Sequence, residues 1–368
     1  MHTVVVLINN LAFGGAERLA VDQVNEMHRR GIRVILITLR KERGDKSFVS
    51  ICTIPESQRH YVPCASLFDW RAYSALMTIL RLERPSIVIT HLWFSNAVGR
   101  IAAYNVGVAR IVSFEHNVYD AVKTWKQFLL DWVLQILSTN IIAVSSAVSH
   151  SLVRHGIQES RISVIENAID LARYRDAPVS TIRDELMIRD AFLYLFVGRL
   201  IHQKGVDILL KAFAETKNSA LLIVGEGNEA ESLQEIVRTL HIANRVHFLG
   251  VRTDIPSLMK TADCFVLPSR WEGMPMVLLE ALAVGMPIVV SDFASAREIV
   301  RDGQSGIIVP INDIQALSEA LRLVATKSVI RGTSEQSGME DAMRFSIQRH
   351  IDILLALCSH ECLKKETE

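Results

Sequence analysis

Residues 193–210 read Leu-Tyr-Leu-Phe-Val-Gly-Arg-Leu-Ile-His-Gln-Lys-Gly-Val-Asp-Ile-Leu-Leu, and their hydrophobic period changes part-way along. The apolar run 193–197 is short enough for a buried strand. It stops at Gly198-Arg199, and an amphipathic helical segment begins near Asp207, after Gln203-Lys204-Gly205. Strand, loop and helix therefore follow one another within eighteen residues. Outward from this unit the same alternation recurs, and it predicts parallel sheets flanked by helices. Expected strands lie at 4–8, 34–38, 87–90, 111–114 and 141–144, then at 193–197, 221–224, 246–249, 264–267, 288–290 and 307–309. The first helix is expected over 16–29 and the last over 343–362.

A chain of 368 residues exceeds what one core usually holds and predicts two domains. The expected division is residues 1–176, residues 177–342, and a final helix over 343–368 that packs back on the first domain. A polar stretch at 170–190, containing Pro178, reads as the linker. The fold class is α/β, with two Rossmann-like doubly wound domains facing a central cleft, because such sheets bind ligands at the carboxyl ends of their strands.

Lys+Arg and Asp+Glu balance at 40 each, which argues against a nucleic-acid partner. The balance hides an asymmetry. Residues 1–176 hold 20 basic against 15 acidic residues, so the first domain carries a surplus of five positive charges and suits an anionic surface or acceptor. Five cysteines form no CxxC pair, and residues 1–10 have neither a basic leader nor a cleavage site, so a cytoplasmic location is expected. A helix expected over 121–137 sets Val122, Trp125, Leu129, Trp132, Val133 and Ile136 on one face, with Lys123 and Lys126 near its start. Core packing is the ordinary reading of that face; contact with an anionic membrane is the other.

The sharpest local signal is Trp271-Glu272-Gly273-Met274-Pro275-Met276-Val277-Leu278-Leu279-Glu280. Pro275 suits the first turn of a helix, and the N–H groups from Gly273 to Met276 suit an anion or sugar hydroxyls. Glu272 and Glu280 are carboxylates able to accept from paired hydroxyls. Arg199 and Lys204, near a strand end beside Gly198, suit a diphosphate, which Arg grips with two bonds and Lys meets as a point charge. Gly14-Gly15-Ala16-Glu17-Arg18 lies between the first strand and first helix, where backbone approaches a ligand closely; it matches neither a Walker A loop nor GxGxxG. Gly225-Glu226-Gly227 follows another strand and turns the chain there. His91 and Glu115-His116-Asn117 also follow strands. There is no DxD, HExxH or CxxC pair of motifs, so neither a metal nor another cofactor is expected.

Together with Glu166-Asn167-Ala168-Ile169-Asp170 and Glu298-Ile299-Val300, these motifs resemble the retaining glycosyltransferases of family four, group 1 type, with the GT-B fold. The resemblance covers essentially the whole chain. It implies a nucleotide-diphosphate sugar as co-substrate, carrying a UDP or GDP leaving group, held mainly by the second domain. Arg199 and Lys204 would meet the diphosphate beside Gly198, Gly225 and Gly227, and Glu280 the ribose. Glu272 and the backbone of Gly273, Met274, Pro275 and Met276 would meet the sugar. His116 matches a family histidine near the transferred sugar, and Gly14 and Gly15 would approach the diphosphate. Arg18, His91 and Asn117 are candidates on the acceptor side. The acceptor implied is a glycolipid or oligosaccharide, reached at the inner face of the cell membrane. A nucleotide-sugar 2-epimerase of the same shape and a non-catalytic nucleotide-sugar-binding protein are the competing readings; the pairing of Glu272 and Glu280 with Gly14–Arg18 favours transfer.

Overall fold

The computed structural model describes residues 3–41, 47–118, 123–326 and 337–365, the last six by backbone alone. The chain forms two compact units, Met1–Ala168 with Ile347–Glu368, and Ile169–Ser346.

Unit 1 holds a parallel sheet of β1 (Thr3–Ile8), β2 (Arg33–Thr38), β3 (Arg59–Tyr61), β4 (Ile87–His91), β5 (Arg110–Glu115), β6 (Asn140–Ala143) and β7 (Ile162–Val164), in the order β3-β2-β1-β4-β5-β6-β7. Its helices are α1 (Gly15–Arg29), α2 (Trp70–Glu83), α3 (Trp93–Val106), α4 (Trp125–Leu134), α5 (Ser146–Arg154) and a C-terminal helix, Ile347–Lys365. Unit 2 repeats the plan with β8 (Phe192–Val197), β9 (Ser219–Val224), β10 (Val246–Gly250), β11 (Cys264–Leu267), β12 (Ile288–Ser291) and β13 (Ile307–Val309), ordered β10-β9-β8-β11-β12-β13. Around it lie α6 (Leu171–Arg175), α7 (Ile182–Glu185), α8 (Val206–Ala214), α9 (Ala230–Thr239), α10 (Ile255–Thr261), α11 (Met276–Val284), α12 (Ala296–Ile299) and α13 (Ile314–Thr326).

Helices cover both faces of each sheet, so the central strands are buried throughout, and this is why they read as unbroken apolar runs instead of alternating ones. Each buried Val, Leu, Ile or Phe contributes about 1.5–3 kcal/mol, and β1, β4, β8 and β11 supply much of that core. In both sheets the strand order reverses beside the first strand, between β1 and β4 and between β8 and β11. Loops on either side of such a reversal diverge and leave a crevice at the carboxyl ends of the strands. The loops after β1, β8 and β11 carry the Gly14, Arg199 and Glu272 motifs, and His91 is the last residue of β4.

The eleven expected strands are present to within two residues at each end, and β3 and β7 are additional. Both additional strands are three-residue edge strands, too short to show a period. The final helix starts at Ile347, not 343, because Phe345 first accepts from Ile169 N at 2.9 Å. Residues 170–190 belong to unit 2 and hold α6 and α7; Arg183 of α7 donates to Asp263 at 2.6 Å and to the Ala191 carbonyl at 2.9 Å.

The α4 face differs most from its ordinary reading. Trp125 is 70% exposed, Trp132 54% and, in the turn after α4, Ile136 63%, so these side chains are not core; Val122 lies outside the described residues. The inward group is polar. Asp131 accepts from Lys123 at 2.7 Å and from Arg100 at 3.4 Å, both buried, and Arg100 and Lys123 also reach Glu115 at 3.4 and 3.3 Å. Burial and the nearby Glu115 raise the Asp131 pKa. Two cations against two carboxylates keep this cluster neutral, which is the condition for burying it. Among the described residues, no helix is long and apolar enough to cross a membrane.

Candidate functional site

In unit 2 the loops after β8, β9 and β11 build one surface. Glycine makes their contact close. Gly225 has φ +134°, and a Cβ there would stand 1.9 Å from the Gly198 carbonyl oxygen; one at Gly227 would stand 2.1 Å from that of Leu200. The segments are laced by Gly198 N to Val224 O and Leu200 N to Glu226 O, both 2.9 Å. Gly205, at φ +65°, lets the β8 loop cross the backbone of Pro268, where a Cβ would lie 2.2 Å from its oxygen. The two GxG glycines thus serve backbone packing between loops.

On that frame, Lys204 Nζ meets Glu272 Oε1 at 2.5 Å. Ser269 Oγ donates to the same oxygen at 2.7 Å, and Gln203 Nε2 donates to Oε2 at 3.2 Å and to the Trp271 carbonyl at 2.8 Å. Glu272 is therefore buried, held by one cation and two neutral donors. Arg270 closes the loop, donating to Asp207 at 2.8 and 3.0 Å and to the His202 carbonyl at 2.6 Å. Burial pushes the Asp207 pKa up, but the bonds to Arg270 outweigh it and hold the carboxyl below its ordinary value. Arg199 is exposed beside this arrangement.

Pro275 is the N-cap of α11, with φ −74° and ψ 119°, one residue outside the expected first turn. Glu280 lies on the second turn of α11 and is buried, as are Met274 and Met276. Gly273 and Met274 both have bonding partners. The structure therefore brings Gly198, Lys204, Glu272 and the two GxG glycines together, and seats Glu280 on the helix that follows.

In unit 1, Gly14 is the N-cap of α1 in extended backbone, and Gly15 opens the helix. Arg18 is buried. Its Nε donates to Asp22 Oδ2 at 2.8 Å and its guanidinium stands 5.6 Å from the Phe48 ring centre, so it braces α1 and does not present itself to an acceptor. His91 is also fully buried, stacked on Phe114 at 4.7 Å; it is the last residue of β4, and its place at the strand end does not open it to solvent. His116 lies in front of it, half-buried, with exposed Asn117 next in sequence. His116 Nε2 and His91 Nδ1 are 3.0 Å apart. Burial lowers the pKa of His116 to about 4, against the opposing pull of Glu115, and burial also holds that of His91 well below its ordinary value.

Sequence reasoning missed Ser269, Gln23 and His350. Ser269 sits in the loop after β11, inside a quoted motif's reach. Gln23 and His350, 2.8 Å apart, are separated by 327 positions, and nothing local pairs them.

The profile described as Glycosyltransferase Family 4 matches residues 13–173, and that described as Glycosyl transferases group 1 matches 180–337. An uncharacterised glycosyltransferase of Methanocaldococcus jannaschii is 33% identical over 277 residues, covering 69% of this chain and 70% of that protein. This chain belongs to the group 1 glycosyltransferases of family 4. Within the family it is 29% identical over 300 residues to the UDP-Gal:alpha-D-GlcNAc-diphosphoundecaprenol alpha-1,3-galactosyltransferase of Escherichia coli, covering 77% of this chain and 78% of the other. The Anabaena protein HepE, solved with UDP and glucose, matches with a TM-score of 0.88 at 21% identity, covering 98% of this chain and all of that one. The two parallel-sheet units are those of the GT-B fold, and the chain is a glycosyltransferase.

Proposed function

We propose that this glycosyltransferase moves a hexose or N-acetylhexosamine from a UDP-sugar to a glycolipid or polysaccharide-precursor acceptor, with retention at the anomeric carbon and without a metal ion. The observation that carries the reading is the Lys204–Glu272 pair, set by the β8 and β11 loops at the strand-order reversal of unit 2, with Arg199 exposed beside it. The UDP of the galactosyltransferase donor and of the Anabaena complex supports the leaving group, and the diphosphoundecaprenol acceptor of the former supports a lipid-linked acceptor.

In the step proposed, the acceptor oxygen forms a bond to the anomeric carbon as the bond from that carbon to the diphosphate breaks. The electron pair leaves with UDP, and the acceptor proton passes to a phosphate oxygen. Arg199 and Lys204 stabilise the charge that develops on the diphosphate, Glu280 accepts from the ribose hydroxyls, and Glu272 accepts from the sugar. His116 accepts a hydroxyl of the transferred sugar. No carboxylate nucleophile is required.

The exposed α4 face, with Lys126 beside Trp125, is the surface we assign to an anionic membrane that presents the acceptor. Binding to anionic vesicles should weaken as salt rises, and Trp125→Ser with Trp132→Ser should abolish it; equal binding by the double variant would remove α4 from the role.

A panel of UDP- and GDP-sugars screened for protection against thermal unfolding names the donor, and NMR of the product names the anomer. Protection by none of the panel, or conversion of the donor to its 2-epimer without an acceptor, would overturn the transferase reading.

A further inference from the structure

Behind His116, hydrogen bonds run in a single line into unit 1. His350 Nδ1 lies 2.8 Å from the Glu166 backbone oxygen, and His350 Nε2 lies 2.8 Å from Gln23 Nε2. Gln23 Oε1 lies 2.9 Å from His91 Nε2, and His91 Nδ1 lies 3.0 Å from His116 Nε2. The line joins the C-terminal helix, α1 and the ends of β4 and β5.

The chemistry of each group leaves the next no choice. A carbonyl oxygen only accepts, so His350 Nδ1 carries a proton. A neutral imidazole has one N–H, so His350 Nε2 accepts from the Gln23 amide nitrogen. The Gln23 oxygen accepts in turn, so the proton of His91 is on Nε2, and His91 Nδ1 must accept from His116 Nε2–H. One backbone carbonyl thus sets the tautomers of three rings. Their neutrality follows from burial, which brings His116 and His350 down to about 4 and lowers His91 well below its ordinary value. A reversed Gln23 amide would need both nitrogens of His350 protonated, a cation at a position 3% exposed.

We propose that His350, Gln23 and His91 are positioning residues that hold His116 in its Nε2–H form, leaving the Nδ1 lone pair to accept a hydroxyl of the bound sugar. Among the described residues nothing pairs with that Nδ1, and the ring is half-buried. An amide does not pass protons along, so the chain orients His116 and does not shuttle. The inference rests on the reading of His116 as a site residue.

The test uses the full chain with 15N-labelled histidine, in two-bond proton–nitrogen spectra at pH 7.5 assigned by single His→Gln variants. The expected result is His350 as Nδ1–H, with His91 and His116 as Nε2–H. Gln23→Leu should give His116 a mixed tautomer and lower kcat about tenfold, with KM for the UDP-sugar within about twofold, because a misoriented contact is lost in the reacting state. Gln23→Glu keeps an acceptor for His91, so it should restore Nε2–H at His116 and most of kcat, while protonating both nitrogens of His350. His116 found as Nδ1–H in the wild-type protein would overturn the proposal, as would unchanged tautomer and kcat in Gln23→Leu. The spectra read the tautomer without substrate. A protein that turns over no sugar nucleotide would thus sink the proposed function alone, while turnover with His116 as Nδ1–H would sink the positioning chain alone.

Discussion

Replacing Lys204 by Met keeps the aliphatic stem and removes the charge, and the structure separates its two consequences. Lys204 and Glu272 side chains are 11% and 8% exposed. Breaking a fully buried pair costs about 3–5 kcal/mol because the orphaned charge stays inside. Here Glu272 keeps the Ser269 and Gln203 donors, so the loss falls to about 1–2 kcal/mol. For a unit of this size, that corresponds to roughly 2–4 °C in Tm per kcal/mol. The effect on rate should be much larger. If Lys204 neutralises the departing diphosphate, kcat falls about 10²–10³-fold, as when one oriented donor is deleted from a preorganised site. Differential scanning calorimetry and initial rates of UDP release, both in EDTA, read the two effects on the same sample. A variant that loses the few degrees but keeps kcat within about threefold of wild type would show that Lys204 only anchors Glu272. Wild-type turnover abolished by EDTA and restored by added metal would refute the metal-free reasoning as a whole.

Glu280→Ala removes the carboxylate proposed for the ribose, and UDP affinity by calorimetry should weaken by about 1.5–3 kcal/mol; unchanged affinity would place the ribose elsewhere. Gly225→Ala forces a Cβ toward the Gly198 oxygen from a left-handed backbone and should destabilise unit 2 by about 2–4 kcal/mol, whereas Gly31→Ala, at φ +77° with nothing within 4 Å, should cost only about 1 kcal/mol. Equal denaturation midpoints for the two would contradict the loop contact. The histidine line predicts acid sensitivity. The folded pKa of His350 is about 4 against an ordinary 6.5, so the unfolded chain takes up the proton first, and stability present above pH 6.5 is lost as pH falls toward 4. His350 alone accounts for on the order of 3 kcal/mol of that loss. A Tm that does not fall between pH 7 and pH 5 would show that the line is already charged.

Much of this was open to reading in the chain itself, for a local reason. Strands buried on both faces leave unbroken apolar runs, and ligand loops in doubly wound sheets follow strands directly, so β8 and Arg199, or β11 and Glu272, stand side by side in sequence. The additional strands β3 and β7 left no such mark, because three residues at an edge have no period.

The sequence also determined which residue types gather at the unit 2 loops, and the family they signal. Tertiary structure alone decided which of them face inward. Arg18, in the first turn of α1, and His91, at the end of β4, occupy positions from which a ligand could be met, and packing buries both. Helix α4 inverts its ordinary polarity because Asp131 finds Arg100 and Lys123 inside, and a buried charge needs its partner more than a tryptophan needs the core. The line from His350 through Gln23 to His116 depends on a contact between the C-terminal helix and α1 across 327 positions. Periodicity and spacing register only neighbours along the chain, so a hydrogen bond of that span exists only once the helices have docked.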